Sequence, residues 1–304
     1  MDFSALIIKM VIFAVLLATG YFLAGKKILG PEFNRGASSL LINVFISASI
    51  INSVIGGRPD IDDGFSTFLI AALSIVITYS GAFIFWLFVR KEKNAAQTEM
   101  MLDATNTLFV GIPVVQSLYG SEAVFYVGMS CIPYNVLLYS YIAWKMKKEQ
   151  GGGSFSFRNL ISVPLISAVI ALLIFILNPP VPRLVSDLIS TVSAATVPVS
   201  MIVIGSSLGK VNPAKAFTEL RNYTISLERL VIMPIVTYFV TRCLTDNTVL
   251  ILTCTVIAGV PIGAVATPLS IENGYDAEYC AKATMVTTVL CMITIPVLLK
   301  ILFG

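Results

Sequence analysis

Apolar residues in this chain are grouped into long stretches, separated by short segments that carry glycine, proline and charged residues. A stretch of roughly 18 or more apolar residues is long enough to cross the ~30 Å hydrocarbon core of a bilayer as a helix. These stretches predict ten spanning helices and therefore an all-α membrane protein. The predicted spans are 4–24, 37–55, 65–89, 101–119, 122–144, 160–177, 184–208, 222–243, 247–270 and 279–302.

Composition supports this interpretation. Charged residues make up 12% of the chain and apolar residues 57%, which leaves too little polar surface to cover a soluble globule. The cysteines do not show the paired spacing of a metal site, and the common catalytic and nucleotide-binding motifs are missing. The net charge of +3 comes from residues in short loops, where membrane topology accounts for it. We therefore expect neither an enzyme nor a cofactor nor a nucleic-acid partner.

Lysine and arginine are retained in the cytoplasmic loops of membrane proteins. The loops on one side of the predicted spans carry fourteen of these residues and those on the other side carry four. We therefore expect a cell-membrane protein with both termini on the non-cytoplasmic side. The cytoplasmic set is Lys26, Lys27, Arg35, Arg90, Lys91, Lys93, Lys145, Lys147, Lys148, Arg158, Lys210, Lys215, Arg221 and Lys282, and the other set is Arg58, Arg183, Arg242 and Lys300.

The longest predicted cytoplasmic loop, 145–158, separates the spans into two groups of five. We interpret it as the boundary between a first repeat, 1–150, and a second repeat, 151–304. Two repeats with an odd number of spans lie in opposite orientations, as in many secondary transporters. The fourth span of each repeat carries a similar motif. These motifs are Gly111-Ile112-Pro113 and Gly259-Val260-Pro261.

Each motif combines a proline, which removes a backbone donor, with a glycine, which makes unwinding easier. We expect the fourth span to break around Gly111 and Pro113, and the ninth between Gly259 and Pro268. Either proline alone also fits a packing kink, but the matched positions favour a binding site between two broken helices. Half-helix N-termini pointing inward would favour an anion. Because the sequence predicts no Lys, Arg or His at that depth, we expect dipoles and neutral donors to hold a carboxylate.

Three segments of the chain resemble the auxin efflux carrier family, which includes the plant PIN carriers. They are 106–113 with Leu118-Tyr119-Gly120, 260–263 through Glu272-Asn273, and 133–138. The similarity spans nearly all of the chain. It implies two inverted five-helix repeats with crossing broken helices four and nine, as in the fold of sodium/proton antiporters and bile acid symporters. It also implies a homodimer that exports or exchanges organic anions by an elevator-like movement.

The same resemblance suggests roles for particular residues. It places the substrate carboxylate on Asn106 and a second polar contact on Asn135, with Pro113 and Pro261 at the crossing. Asn106 could instead satisfy backbone carbonyls freed by the break. Asn135 could instead form an interhelical hydrogen bond. The remaining candidate substrate-binding residues are Gly111, Gly263, Gln116 and Thr267.

The residues that would couple transport to an ion do not follow directly from the family resemblance. The plant carriers have an acid and a lysine on helix three, whereas 71–86 of this chain carries no charge. Small bacterial members are more similar, which implies a small dicarboxylate such as malate or malonate as substrate. The candidates for sodium or proton coupling are Thr105, Thr107 and Asp103, and Asp103 alternatively supplies a helix N-terminal charge. Glu228 and Arg229 are expected to snorkel to the interface or to form a structural pair.

These features predict a secondary carrier for a small organic anion. Spans one, two, six and seven would stay fixed in the bilayer while the other six move. The alternatives are a membrane sensor that binds the anion without translocating it, and a channel.

Overall fold

The computed structural model describes residues 3–55, 64–91, 94–151, 163–209, 211–263 and 265–304. The regular secondary structure of these residues is helical, and the only β-type contact among them is one isolated bridge. Residues 152–158 of the predicted loop between the repeats and the first three residues of the span predicted at 160–177 lie outside the described residues, as do Arg58, Lys93 and Lys210.

The α-helices are numbered in chain order. Those before the predicted repeat boundary are α1 (Phe3–Gly25), α2 (Pro31–Leu40), α3 (Ser47–Ile55), α4 (Gly64–Val89), α5 (Ala95–Asp103), α6 (Ile112–Leu137) and α7 (Ala143–Glu149). Those after it are α8 (Val163–Leu177), α9 (Arg183–Ala194), α10 (Thr196–Leu208), α11 (Pro213–Thr218), α12 (Leu220–Leu227), α13 (Met233–Leu244), α14 (Thr248–Gly259), α15 (Ala266–Glu272) and α16 (Ala277–Phe303). Short π-helical turns are interposed at Leu41–Ile46, Thr107–Gly111, Leu138–Ile142 and Glu228–Ile232.

Several helical segments are long and apolar enough to cross a membrane. Within the described ranges there are seven, namely Ile7–Gly25, Pro31–Ile55, Ser66–Val89, Thr107–Glu149, Arg183–Leu208, Leu220–Leu244 and Ala277–Phe303. Two shorter apolar helices, Val163–Leu177 and Thr248–Gly259, accompany them. The protein is therefore a multi-pass membrane protein, while the count of ten spans and the inverted repeat stay predictions.

Thr107–Glu149 has 43 residues, so an uninterrupted helix would be roughly 65 Å long, about twice the hydrocarbon thickness. Gly120 interrupts it, with φ 66° and ψ −142°, a conformation that is accessible to glycine but not to residues with a side chain. This glycine lies between the predicted spans 101–119 and 122–144.

Glycines allow α1 and α10 to pack backbone against backbone. A Cβ on Gly20 would lie 2.1 Å from the Ile202 carbonyl oxygen, and one on Gly205 would lie 1.9 Å from the Leu17 carbonyl oxygen. Small residues at such positions let helices approach closely in lipid, where the hydrophobic effect does not drive association.

We divide the helices into two groups, which contact each other mainly where α6 packs on α3 and α8. In the first helix group, α1–α3 with α8–α10, α1 packs on α10 and α3 packs on α8 and α9. In the second helix group, α4–α7 with α11–α16, helices α4, α6, α13 and α14 pack on one another. Both predicted helix breaks belong to the second group.

Candidate functional site

The first break lies between α5 and α6. The helix α5 ends at Asp103, and Ala104 (ψ 83°) and Asn106 (ψ 48°) leave the helical conformation. The break therefore precedes the predicted position around Gly111 and Pro113, and that prediction is wrong. Gly111 ends a π-helical turn, and Pro113 is the second residue of α6. A proline is tolerated in the first turn of a helix because its missing N–H needs no partner there.

The second break lies between α14 and α15. The helix α14 ends at Gly259, Val260 is extended (φ −74°, ψ 155°), and α15 begins at Ala266. This break falls within the predicted interval and contains Pro261, which cannot donate a helical hydrogen bond.

The two broken segments pair with each other, and we refer to residues 104–106 with 260–263 as the crossover. Thr105 and Ile262 form an antiparallel bridge. The Asn106 N–H donates to the Pro261 carbonyl (2.9 Å), and the Gly263 N–H donates to the Ala104 carbonyl (2.6 Å). Each break thus satisfies backbone groups that the other leaves unpaired, which non-helical backbone inside a membrane protein requires.

Gly263 is needed at the crossover because the paired segments lie so close. A Cβ at this position would lie 2.9 Å from the Thr105 carbonyl oxygen and 3.1 Å from that of Ala104. Gly111 has no such requirement. A Cβ there would meet the Thr107 Cγ2 at 3.6 Å, which is an ordinary contact.

Asn106 lies in the crossover with a side chain that is 5% exposed. Its backbone carbonyl accepts from the N–H groups of both Val110 and Gly111, at 3.0 Å each. The structure shows no hydrogen bond from its side chain to any described residue. The backbone of Asn106, rather than its amide, therefore completes the first turn after the break, and the amide is available to a ligand.

Asn135 is buried in α6, and its Nδ2 donates to the Cys131 carbonyl (2.7 Å) one turn earlier in the same helix. This contact is local rather than interhelical. The neighbouring Tyr134 reaches the crossover, because its hydroxyl donates to the Thr105 carbonyl (3.2 Å). Tyr134 lies inside the motif 133–138, but the family resemblance pointed to Asn135 and not to this tyrosine.

The remaining candidates occupy different positions. The Thr105 and Thr107 hydroxyls lie 2.6 Å apart and hydrogen-bond to each other across the break. Gln116 is half-buried, and its Oε1 has no hydrogen-bond partner in the described structure. Thr267 donates to the Cys280 sulfur (3.7 Å), on the α16 side of α15.

Of the two roles predicted for Arg229, snorkelling to the interface is wrong. Arg229 lies in the π-helical turn Glu228–Ile232 and is 1% exposed, so it does not snorkel. Its Nη1 donates to the Leu102 carbonyl, next to the first break. The Nε and Nη2 atoms have no hydrogen-bond partner among the described residues. The interior next to the crossover therefore contains a cation, contrary to the expectation of dipoles and neutral donors alone.

Asp103 ends α5 beside this arginine. It is fully buried, and neither carboxylate oxygen has a hydrogen-bond partner within the described ranges. The charges of Asp103 and Arg229 interact. Asp103 terminates a helix, so the alternative of an N-terminal helix charge is also wrong.

A second carboxylate of α5, Glu99, is already paired. Tyr141 donates its hydroxyl to Glu99 Oε1 (2.8 Å), and Lys145 forms an ion pair with the same carboxylate. Nearby, Arg221 donates to the Thr98 hydroxyl (2.6 Å). These contacts hold α5 against α7 and α12.

The start of α5 is held in a similar way. Glu149 accepts from the Ala96 N–H (3.2 Å) and from the Tyr275 hydroxyl (2.6 Å). Burial, together with the hydrogen bond to Glu149, raises the pKa of Tyr275 above its ordinary value. Tyr275 therefore stays protonated and remains a donor.

No cluster of three or more histidine, cysteine, aspartate or glutamate side chains suited to a metal ion occurs among the described residues.

The chain matches the family model described as membrane transport protein over residues 5–299. It is also 25% identical, over 297 residues and 93% of each chain, to an uncharacterized transporter of Methanothermobacter thermautotrophicus. With its apolar helices, this match defines the class as a multi-pass membrane transport protein. The chain belongs to this membrane transport family, the auxin efflux carrier family, and the resemblance found in the sequence is confirmed.

Proposed function

We propose that this protein is a secondary carrier that moves a small organic anion, such as a dicarboxylate or an auxin-like acid, by elevator-type alternating access. The observation that supports this most strongly is the pairing of two broken helices in the interior, beside the buried guanidinium of Arg229 and the Asn106 amide, which has no hydrogen-bond partner among the described residues. Discontinuous helices that meet inside a bundle are the usual site of substrate in secondary transporters.

The chemistry of the site favours an anion. Arg229 is buried and keeps its charge, because a guanidinium loses its proton only at very high pH. Its planar fork matches a carboxylate, and Nε and Nη2 are the two donors that have no partner in the described structure. The Asn106 amide adds a neutral donor that can orient the substrate. A cationic substrate could not accept hydrogen bonds from these donors and would be repelled by the guanidinium.

The packing supports an elevator movement. The boundary between the two helix groups contains a small apolar cavity. Apolar surfaces carry no directional bonds that must break as they slide. The cavity is lined by Ile50, Phe68, Phe125, Gly128, Met129, Ala168, Ala171 and Leu172. Because both breaks lie in the second helix group, the site would move with that group. The first helix group would stay fixed and form the contact of a homodimer.

Uptake by purified protein in proteoliposomes tests this proposal. Labelled malonate, malate and indole-acetate are presented with sodium gradients, pH gradients or neither. We expect saturable uptake of at least one acid, and a loss of at least tenfold in Asn106→Ala. Asn43→Ala is the matched control, since Asn43 is an exposed residue of the first helix group and its loss should leave uptake unchanged.

The alternatives give different results. Saturable binding without uptake would support a sensor, and single-channel currents in a planar bilayer would support a channel. Normal uptake by Asn106→Ala would remove Asn106 from the site. Failure to transport any of the three acids would contradict the assignment of an organic anion.

A further inference from the structure

Two opposite charges are buried next to the crossover with most of their hydrogen-bonding capacity unused. Asp103 is 0% exposed and Arg229 is 1% exposed. Both oxygens of Asp103 and two nitrogens of Arg229 have no hydrogen-bond partner among the described residues. Buried polar atoms are almost always paired, so each unpaired one needs an explanation, and a functional role is one such explanation.

The third nitrogen of Arg229 fixes where the guanidinium lies. Its Nη1 donates to the Leu102 carbonyl, the residue before Asp103. The guanidinium is thus anchored to the end of α5, while Nε and Nη2 at its other edge have no hydrogen-bond partner among the described residues. The separation between the Asp103 and Arg229 side chains exceeds that of a direct ion pair.

The other ionisable groups around Asp103 and Arg229 do not change the net charge of this region. Asp103 also experiences the charges of Glu99 and Lys145, which compensate each other as an ion pair. Arg229 faces groups that are ordinarily neutral on α4, α6 and α16. These groups are Tyr79, Tyr134 and Cys291. The buried net charge next to the crossover is therefore zero when Asp103 is ionised.

Binding of an anion changes this balance. A substrate carboxylate on the open edge of Arg229 would leave the negative charge of Asp103 uncompensated in a medium of low dielectric constant, which is strongly unfavourable. Neutralising Asp103 removes the cost. A proton needs one carboxylate oxygen, whereas a hard metal ion needs about six oxygen ligands. The nearby Thr105 and Thr107 hydroxyls already bond to each other.

We infer that Asp103 and Arg229 couple anion transport to protons: the open edge of Arg229 binds one substrate carboxylate as Asp103 takes up one proton from the aqueous side. The proton adds to a carboxylate oxygen of Asp103, which becomes a neutral acid, and it leaves when the substrate leaves. The inference rests on the proposed function and specifies its coupling ion. One bound carboxylate and one bound proton together add no net charge, so the site has the same charge when it is loaded as when it is empty.

The test uses the full chain in proteoliposomes loaded with a pH-sensitive dye, with labelled malonate outside and the membrane potential clamped. In the wild type we expect about one proton to enter per malonate. We also expect the apparent affinity to fall as pH rises, by up to about tenfold per pH unit, the limit for a one-proton linkage. Malonate itself also changes protonation with pH. This contribution to the pH dependence of the affinity is the same for every variant and is removed by comparing variants in the same buffers.

Asp103→Asn should take up malonate without proton entry, and its affinity should lose the pH dependence that the wild type shows beyond the titration of malonate. Its uptake should respond more steeply to membrane potential. Glu122→Gln is the control, because it removes a half-buried carboxylate of α6 that is not among the charges acting on Asp103, and it should keep the proton entry. Arg229→Gln should lose binding.

The inference fails if Asp103→Asn still moves protons with malonate, or if wild-type uptake follows a sodium gradient without proton entry. Should Asp103→Asn not fold, the wild-type proton-to-malonate ratio decides alone, since a ratio near zero overturns the inference. Absence of any carboxylate uptake by the wild type would instead contradict the proposed function itself.

Discussion

Replacing Gly263 with alanine is expected to force apart the two broken helices at the crossover. The added Cβ would lie 2.9 Å from the Thr105 carbonyl oxygen, closer than real Cβ contacts occur. The obstacle is backbone, so a rotamer change cannot relieve it. The segments must separate by a few tenths of an ångström, which weakens the hydrogen bonds from the Gly263 N–H to Ala104 and from the Asn106 N–H to Pro261.

The size of the effect follows from two contributions. Overpacking of a close-packed interior costs about 1–3 kcal/mol, and each of the two backbone hydrogen bonds contributes about 1 kcal/mol net. We therefore expect Gly263→Ala to destabilise the protein by about 3–5 kcal/mol and to abolish uptake, because the candidate site is built on this pairing.

Gly111→Ala is the matched control and should change stability in the opposite direction. A Cβ on Gly111 would lie 3.6 Å from the nearest atom, Thr107 Cγ2, and the residue is helical (φ −58°, ψ −57°). Alanine is favoured over glycine in a helix by about 0.5–1 kcal/mol. Gly111→Ala should therefore be as stable as the wild type or slightly more stable.

Thermal unfolding in detergent, followed with a thiol-reactive dye, measures both variants. Four of the five cysteines are buried, namely Cys131, Cys254, Cys280 and Cys291, so they react only as the protein unfolds. A Gly263→Ala variant that unfolds at the wild-type temperature and transports normally would refute the close pairing of the breaks. Equal destabilisation by both alanines would also refute it.

Three further outcomes are expected. Tyr134→Phe removes the hydrogen bond to the Thr105 carbonyl and should lower the unfolding free energy by about 1 kcal/mol, measured by the same thermal assay. Gly205→Val places atoms within the backbone of Leu17 and should prevent recovery of folded protein by size-exclusion chromatography, whereas Gly25→Ala, with nothing within 4 Å, should not. Cys243, the one exposed cysteine of the five, should react with an impermeant maleimide in intact cells if the proposed orientation is right; labelling only after lysis would contradict that orientation.

The sequence was sufficient to predict the helical class and the family, because both depend on local patterns. Long apolar runs indicate which segments lie in the membrane. The motif at 106–113 can be recognised from its own residues, without information about the segments that pack on it. The second break was also predictable, since Gly259, Pro261 and Gly263 are clustered within five residues. The first break was placed about seven residues too late. A proline can begin a helix as well as end one, and only the pairing with residues 260–263 decides which occurs.

The sequence by itself determined that most of this chain is embedded in the membrane, that it belongs to a family of transporters, and that the fourth and ninth predicted spans carry matched motifs of glycine and proline. Only the tertiary structure decided that Arg229 points into the interior and reaches Leu102. A charged residue one turn into an apolar helix has the same local pattern whether it snorkels outward or turns inward. The direction depends on which helix face meets α5, and that is set by packing between segments more than a hundred residues apart.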